Sequence, residues 1–218
     1  MADRELGSAP IAPHVRDYLD GLVPTRPEEV QTMEDYARQE SFPIVGPASG
    51  QLCYQVARMI GARQVFELGS GYGYSTYWFA RAVRENGGGT VHHVVWDEGL
   101  SRKARGHLER LGMTDLIRYH VAEAVEELSS QTGPFDLIFN DIDKPAYPSS
   151  LPLIKERLRP GGVLIIDNML WQGRIFDDDE QDASTVAIRD VTELITTDPD
   201  WTASLVPIRD GLIVASKR

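Results

Sequence analysis

Three short stretches hold oxygen and nitrogen groups at spacings that suit chemistry: Asp141-Ile142-Asp143-Lys144, Asp167-Asn168, and Glu67-Leu68-Gly69-Ser70-Gly71-Tyr72-Gly73. Asp141 follows the strand-like run 136–139, and Asp167-Asn168 follows the run 163–166. If both runs are parallel strands, their carboxyl ends share a rim, where open α/β sheets bind ligands. Two carboxylates and an amide oxygen suit a hard divalent cation such as Mg²⁺, with positions left for water. The same residue types also make turns and helix caps, and that alternative stays open on sequence alone. Lys144 lies three residues after Asp141. A bound cation disfavours the ammonium form of a neighbouring lysine, so Lys144 could act as a base; the plainer reading is a surface lysine paired with Asp143. Trp171, three residues after Asn168, could wall an aromatic substrate or pack its loop.

The glycine stretch ends a short apolar run, 64–68, and opens a helical pattern over about 75–84. Glycines there allow a tight turn and a close approach to a ligand. A dinucleotide fingerprint would place its third glycine at position 74, but Tyr74 stands there, which disfavours a pyrophosphate site. Glu67 before the turn favours a cationic or hydroxylated ligand.

These stretches need a frame. Further strands are expected at 91–96 and 117–121, with helices over 101–111, 124–129, 151–158 and 185–195. Strands alternating with helices predict a doubly wound α/β fold, its parallel sheet covered on both faces. Asp210-Gly211 between 205–208 and 212–215 signals an antiparallel hairpin at one edge. Upstream, helical spacing runs through Val15, Tyr18, Leu19 and Leu22, then Val30, Met33 and Tyr36, with another helix over 50–59. The expected organisation is one domain over 1–218: a mobile tail over 1–13, N-terminal helices over 14–60 and an α/β core over 61–218.

Composition narrows the function. Of 218 residues, 42% are hydrophobic and 25% charged, a globular mix that excludes disorder as the main state. Acidic residues outnumber basic ones 33 to 22, giving a net charge of −11, the wrong sign for gripping a phosphate backbone. No run of ~18 apolar residues offers a membrane span. The one cysteine, Cys53, excludes an internal disulfide and a thiolate zinc site, and reads as a small buried hydrophobe. His92 and His93 must face opposite sides of a strand, and His14, His107 and His120 are scattered, so no histidine centre is expected. The N-terminal residues show no secretory h-region, which points to the cytoplasm.

The chain resembles the cation-dependent O-methyltransferases of the catechol and caffeoyl-CoA type. The resemblance spans about residues 41–218 and rests on Pro43-Ile44-Val45-Gly46 with Gly50-Gln51, ELGSGYGYS at 67–75 and FNDIDKPAY at 139–147. It continues in RPGGVLIIDNMLWQGRI at 159–175 and in Asp210-Gly211-Leu212. It implies a Rossmann-like, seven-stranded sheet with a reversed last strand, and often a homodimer. It implies transfer of a methyl group from S-adenosylmethionine to a hydroxyl of a phenolic or catechol-like small molecule, aided by Mg²⁺ or another divalent cation such as Mn²⁺ or Ca²⁺. By motif, Asp141, Asp167 and Asn168 correspond to metal ligands and Lys144 to the general base. Val45, Glu67, Gly69, Ser70, Ser75, Glu123 and Ala124 correspond to cofactor contacts, while Trp171 and Tyr147 fall where the substrate pocket is expected. One position departs. Where the family carries an acidic residue for the cofactor ribose, this chain has Val95, and Asp97 is the candidate replacement. Two other functions remain compatible with the sequence: methylation of a hydroxylated uridine in transfer RNA, which the net charge opposes, and cofactor binding without catalysis.

Overall fold

Local sequence explains where each element starts. The computed structural model describes residues 11–218. Pro13 opens α1 (Pro13–Gly21) and Pro27 precedes α2 (Glu28–Gln39), because a φ fixed near −65° suits a helix start. Next come α3 (Gly46–Met59), β1 (Gln64–Leu68), α4 (Tyr74–Glu85), β2 (Thr90–Val95), α5 (Glu98–Arg110) and β3 (Ile117–Val121). Then follow α6 (Ala124–Ser130), β4 (Phe135–Asn140), α7 (Tyr147–Arg157), β5 (Leu158–Ile166), α8 (Ala183–Thr197), β6 (Trp201–Val206) and β7 (Leu212–Lys217).

The strands form one sheet in the order β3-β2-β1-β4-β5-β7-β6. The first five run parallel, while β7 is antiparallel to both β5 and β6. From β1 the chain winds outward to β3, then returns to place β4 on the other side of β1. That reversal opens a crevice beyond the carboxyl ends of β1 and β4. Both faces of the sheet are buried. Val65, Leu137 and Ile165 pack under Trp78 and Phe79 of α4, and Phe66, Ile138 and Leu164 pack against Leu151 of α7 and Ile188 of α8. Burial on both faces is why these strands read as unbroken apolar runs. Cys53 is buried in the first of these layers.

Several expectations change. The tail anticipated over 1–13 lies outside the described residues as far as residue 10, and Pro13 is already helical. Helix α1 buries none of its residues, leaving Val15, Tyr18 and Leu22 exposed. Helix α7 starts at Tyr147 rather than Leu151, because Pro148 is tolerated in a first helical turn. Leu158 belongs to β5, and Pro207-Ile208 belong to the hairpin turn, since Pro207 has no N–H for a sheet ladder. His120 does not stand apart: its Nε2 lies 3.1 Å from His92 Nδ1, and its Nδ1 lies 2.9 Å from Glu127 Oε1. Among the described residues, no helix is long and apolar enough to cross a membrane.

The end of the sheet opposite the crevice is tied by Asp136. Its Oδ2 accepts the N–H groups of Arg63 and Gln64 at 2.8 Å, and its Oδ1 accepts Arg159 Nε at 2.6 Å. Burial pulls this carboxyl upward, but the bonds from Arg159, Arg63 and Gln64 win and hold it below its ordinary value of 3.8. A depressed acid stabilises the fold above its unfolded pKa, and that stability drains away as pH falls through the folded value. Asp136→Asn should therefore cost about 2 kcal/mol at pH 7 in a urea titration, and the difference from the parent should shrink below about pH 4.

Candidate active site

The crevice is a cavity of about 1490 Å³. A single small-molecule site is typically about 300–1,000 Å³, so this one has room for two ligands side by side. Val45 at the start of α3, Gly69, Ser70 and Ser75 after β1, and Glu123 and Ala124 after β3 line it. Asp141, Lys144, Asp167, Asn168 and Trp171 line it too.

Parallel pairing of β4 with β5 brings the two acidic stretches together. Asn140 and Ile166 are partners in register, so Asp141 and Asp167 leave the sheet side by side. Lys144 Nζ donates to Asp141 Oδ1 at 2.8 Å and to the Ile142 carbonyl at 3.2 Å. The plainer pairing of Lys144 with Asp143 is thereby replaced. Burial pushes Asp141 upward against the pull of Lys144. Asp167 is pushed up to about 7, first by burial and then by the charge of Asp141. Asn168 has φ +61, a left-handed conformation that asparagine tolerates better than most side chains. Its Nδ2 donates to Asp210 Oδ2 at 3.2 Å. A carboxylate only accepts, so this bond fixes which end of the amide is nitrogen and leaves Oδ1 for another partner.

Among the described residues, no three His, Cys, Asp or Glu side chains gather as a metal cluster. The donor set here is two carboxylates and an amide oxygen. Its chemistry fits a hard divalent cation: all the donors are oxygen, and the buried negative charge is only partly met by Lys144.

Three predicted contacts stand behind the wall rather than on it. Glu67 is completely buried. Its Oε1 accepts the Ser75 hydroxyl at 2.5 Å and its Oε2 accepts the Thr76 hydroxyl at 2.6 Å, joining β1 to the first turn of α4. His93 Nδ1 lies 3.0 Å from the Thr76 oxygen. Burial holds His93 down to about 3, so it is neutral. Thr76 has one proton; giving it to Glu67 requires His93 to donate from Nδ1, which orients the whole chain of bonds. Tyr147 is buried as well, and its hydroxyl donates to the Asp167 carbonyl at 3.1 Å. It braces the acidic loop and does not line the cavity. Asp97 does not line the cavity; its Oδ1 accepts the Leu100 N–H at 2.7 Å and caps α5. Glu123 caps α6 through the Glu126 N–H at 2.7 Å while still lining the cavity.

Gly69 serves close approach, but of the protein to itself. At φ +86, a Cβ on it would meet the Asp141 carbonyl oxygen at 2.5 Å. The missing side chain lets β1 and β4 run together up to the crevice. Other residues on the wall were not among the expected site residues. Trp96 is 82% exposed and lines the cavity beside Val95. Arg209 and Asp210 reach it from the β6–β7 turn. A bulky apolar side chain at a strand's carboxyl end was the available signal for Trp96; Arg209 had none.

A doubly wound sheet with an oxygen-lined crevice at its switch point has the architecture of a ligand-binding α/β enzyme. The sequence profile described as O-methyltransferase matches residues 28–218. A catechol O-methyltransferase of Niastella koreensis is 30% identical over 149 residues, which cover 66% of each chain. An O-methyltransferase from Bacillus cereus in complex with SAH superposes with a TM-score of 0.84 at 27% identity, covering 94% of this chain and 97% of that one. TomG from Streptomyces achromogenes, an O-methyltransferase involved in tomaymycin synthesis and in complex with SAM, gives 0.83 at 27% identity, covering 100% and 99%. The chain belongs to the O-methyltransferase family, whose members transfer the methyl group of S-adenosylmethionine.

Burial raises Glu67 to about 7, although the Ser75, Thr76 and Ser70 hydroxyls pull it down; the charge of Asp141 adds to the rise. The folded protein thus keeps a proton that the unfolded chain releases near pH 4.5, and stability falls as pH climbs from there to about 7. Asp167 contributes in the same sense. Glu67→Gln should make the pH dependence of the melting temperature shallower across this window, and melts of the ligand-free protein at half-unit pH steps would read it.

Proposed function

We propose that this protein is a divalent-cation-dependent O-methyltransferase that uses S-adenosylmethionine and acts on one hydroxyl of a catechol-like small molecule. The observation carrying this reading is the joint placement of Asp141, Asp167 and Asn168 at two paired strand ends, with Lys144 Nζ 2.8 Å from Asp141 Oδ1. Asp141 and Asp167 would hold the cation through carboxylate oxygens and Asn168 through Oδ1. When bound, the cation would supply positive charge that lowers the pKa of a substrate hydroxyl, and S-adenosylmethionine would supply the methyl group.

The remaining work belongs to side chains of this protein. Lys144 accepts the hydroxyl proton at Nζ. Trp171, whose ring centroid lies 6.0 Å from Lys144 Nζ, walls the flat side of an aromatic substrate. Asp210 orients the Asn168 amide, and Tyr147 steadies the Asp167 backbone. Of the residues lining the cavity, Val45, Ser70, Ser75, Ala124 and Trp96 would contact the methyl donor. Holding the oxyanion in line with the methyl carbon supplies most of the acceleration, because charge is neutralised as the new bond forms. A homodimer belongs to the same reading and rests on the resemblance alone.

With labelled S-adenosylmethionine and catechol, turnover should vanish in EDTA and return on adding Mg²⁺ or Mn²⁺. Lys144→Met should lower kcat by about 10²-fold or more while leaving cofactor binding in place. Persistent turnover in metal-free buffer would sink the cation-dependent mechanism. The apolar wall at Val95 leaves the cofactor ribose without a charged acceptor. Val95→Glu should tighten S-adenosylmethionine binding by about tenfold or more, the scale of one charge-assisted hydrogen bond, measured by titration calorimetry.

A further inference from the structure

Arg209 lines the same cavity yet has no part in the reaction above. It sits in the β6–β7 turn with φ +54, a backbone conformation that side chains other than glycine rarely adopt. Its side chain is folded inward over the first turn of α3. A Cβ on Gly46 would meet Arg209 Nη1 at 3.0 Å and Cζ at 3.4 Å, so the glycine makes room for the guanidinium. Its positive charge acts on both Asp141 and Asp167.

Among the described residues, Arg209 nevertheless forms no ion pair with the acids around it. Asp141 is taken by Lys144, Asp167 Oδ1 by the Asn168 N–H, and Asp210 by the Asn168 amide and the Gln172 N–H. In a chain with 33 acidic residues, a cavity-lining arginine without a carboxylate among the described residues stands out. A guanidinium is a planar fork that matches a carboxylate with two parallel hydrogen bonds.

We infer that Arg209 recognises the carboxylate of a ligand in this cavity, making the preferred substrate an aromatic vicinal diol that bears a carboxylate. The inference rests on the proposed reaction for the diol, and on Arg209 for the acid group. The amino-acid carboxylate of the methyl donor offers the same chemistry, so the test separates the two sources.

Titration calorimetry in Mg²⁺ would compare 3,4-dihydroxybenzoate, catechol and S-adenosylhomocysteine on the parent protein, Arg209→Gly and Arg209→Lys. Glycine relaxes the φ at this position, so Arg209→Gly should melt no lower than the parent. The parent should bind dihydroxybenzoate about tenfold or more tighter than catechol. Arg209→Gly should erase that ratio and Arg209→Lys should keep part of it. A tenfold loss confined to S-adenosylhomocysteine would still assign Arg209 a carboxylate, but the cofactor's, and would overturn the acidic substrate. Unchanged affinities for all three probes in Arg209→Gly would overturn the inference altogether. Failure of the proposed reaction reads differently: no labelled methyl reaches either phenol, whatever the binding ratio.

Discussion

Asp141 and Asp167 leave neighbouring strands side by side, and their mutual repulsion in a poorly solvated crevice sets the terms for everything around them. Folding alone gives no reason to put two carboxylates there. Buried charge is costly, and well-packed apolar residues would commonly be no less stable. The protein meets part of the charge with Lys144 at 2.8 Å, and Asp167 is still pushed up to about 7. On the proposed reading, that residual negative charge among oxygen donors is what a small, strongly charged cation would answer. The same arrangement would bring an amine within reach of a hydroxyl drawn to that cation. Binding and proton removal would then share one electrostatic origin.

A second layer of polar groups keeps this arrangement from relaxing. Tyr147 holds the Asp167 carbonyl from behind, and Asp210 takes the Asn168 amide nitrogen and leaves its oxygen for another partner. On the cofactor side, the bonded chain from His93 through Thr76 to Glu67 ties β1 to α4, while Ser70 Oγ accepts the Val94 N–H at 2.9 Å and ties the glycine loop to β2. None of these bonds need touch a ligand. They matter because a cation or a reacting hydroxyl tolerates little positional error, and a side chain already bonded elsewhere has fewer rotamers in which to err.

Much of the frame was legible in the chain. The strands at 64–68 and 117–121 fall where their apolar and β-branched runs indicate, because sheets buried on both faces demand such runs. The rim holding Asp141 and Asp167 follows from parallel pairing. What failed to show were the commitments of individual polar side chains. Asp97, Glu67 and Tyr147 carry groups suited to a ligand, but each is spent on a protein partner: a helix N-terminus, two hydroxyls and a backbone carbonyl. The start of α7 was obscured because Pro148 and Pro152 lie inside it. The meeting of His92 and His120 was hidden as well, since it depends on diagonal neighbours across β2 and β3.

The sequence by itself determined the alternation of strands and helices, the order in which the acidic residues reach the rim, and the set of oxygen and nitrogen groups available for chemistry. These follow from periodicity and composition, which are local properties of a chain. Only the tertiary structure decided which polar groups face the cavity and which are consumed behind it, why Gly69 and Gly46 carry no side chain, and that Arg209 turns inward from a distant hairpin. Those outcomes depend on hydrogen-bond partners and close contacts between segments far apart in sequence, and no local pattern records such distances.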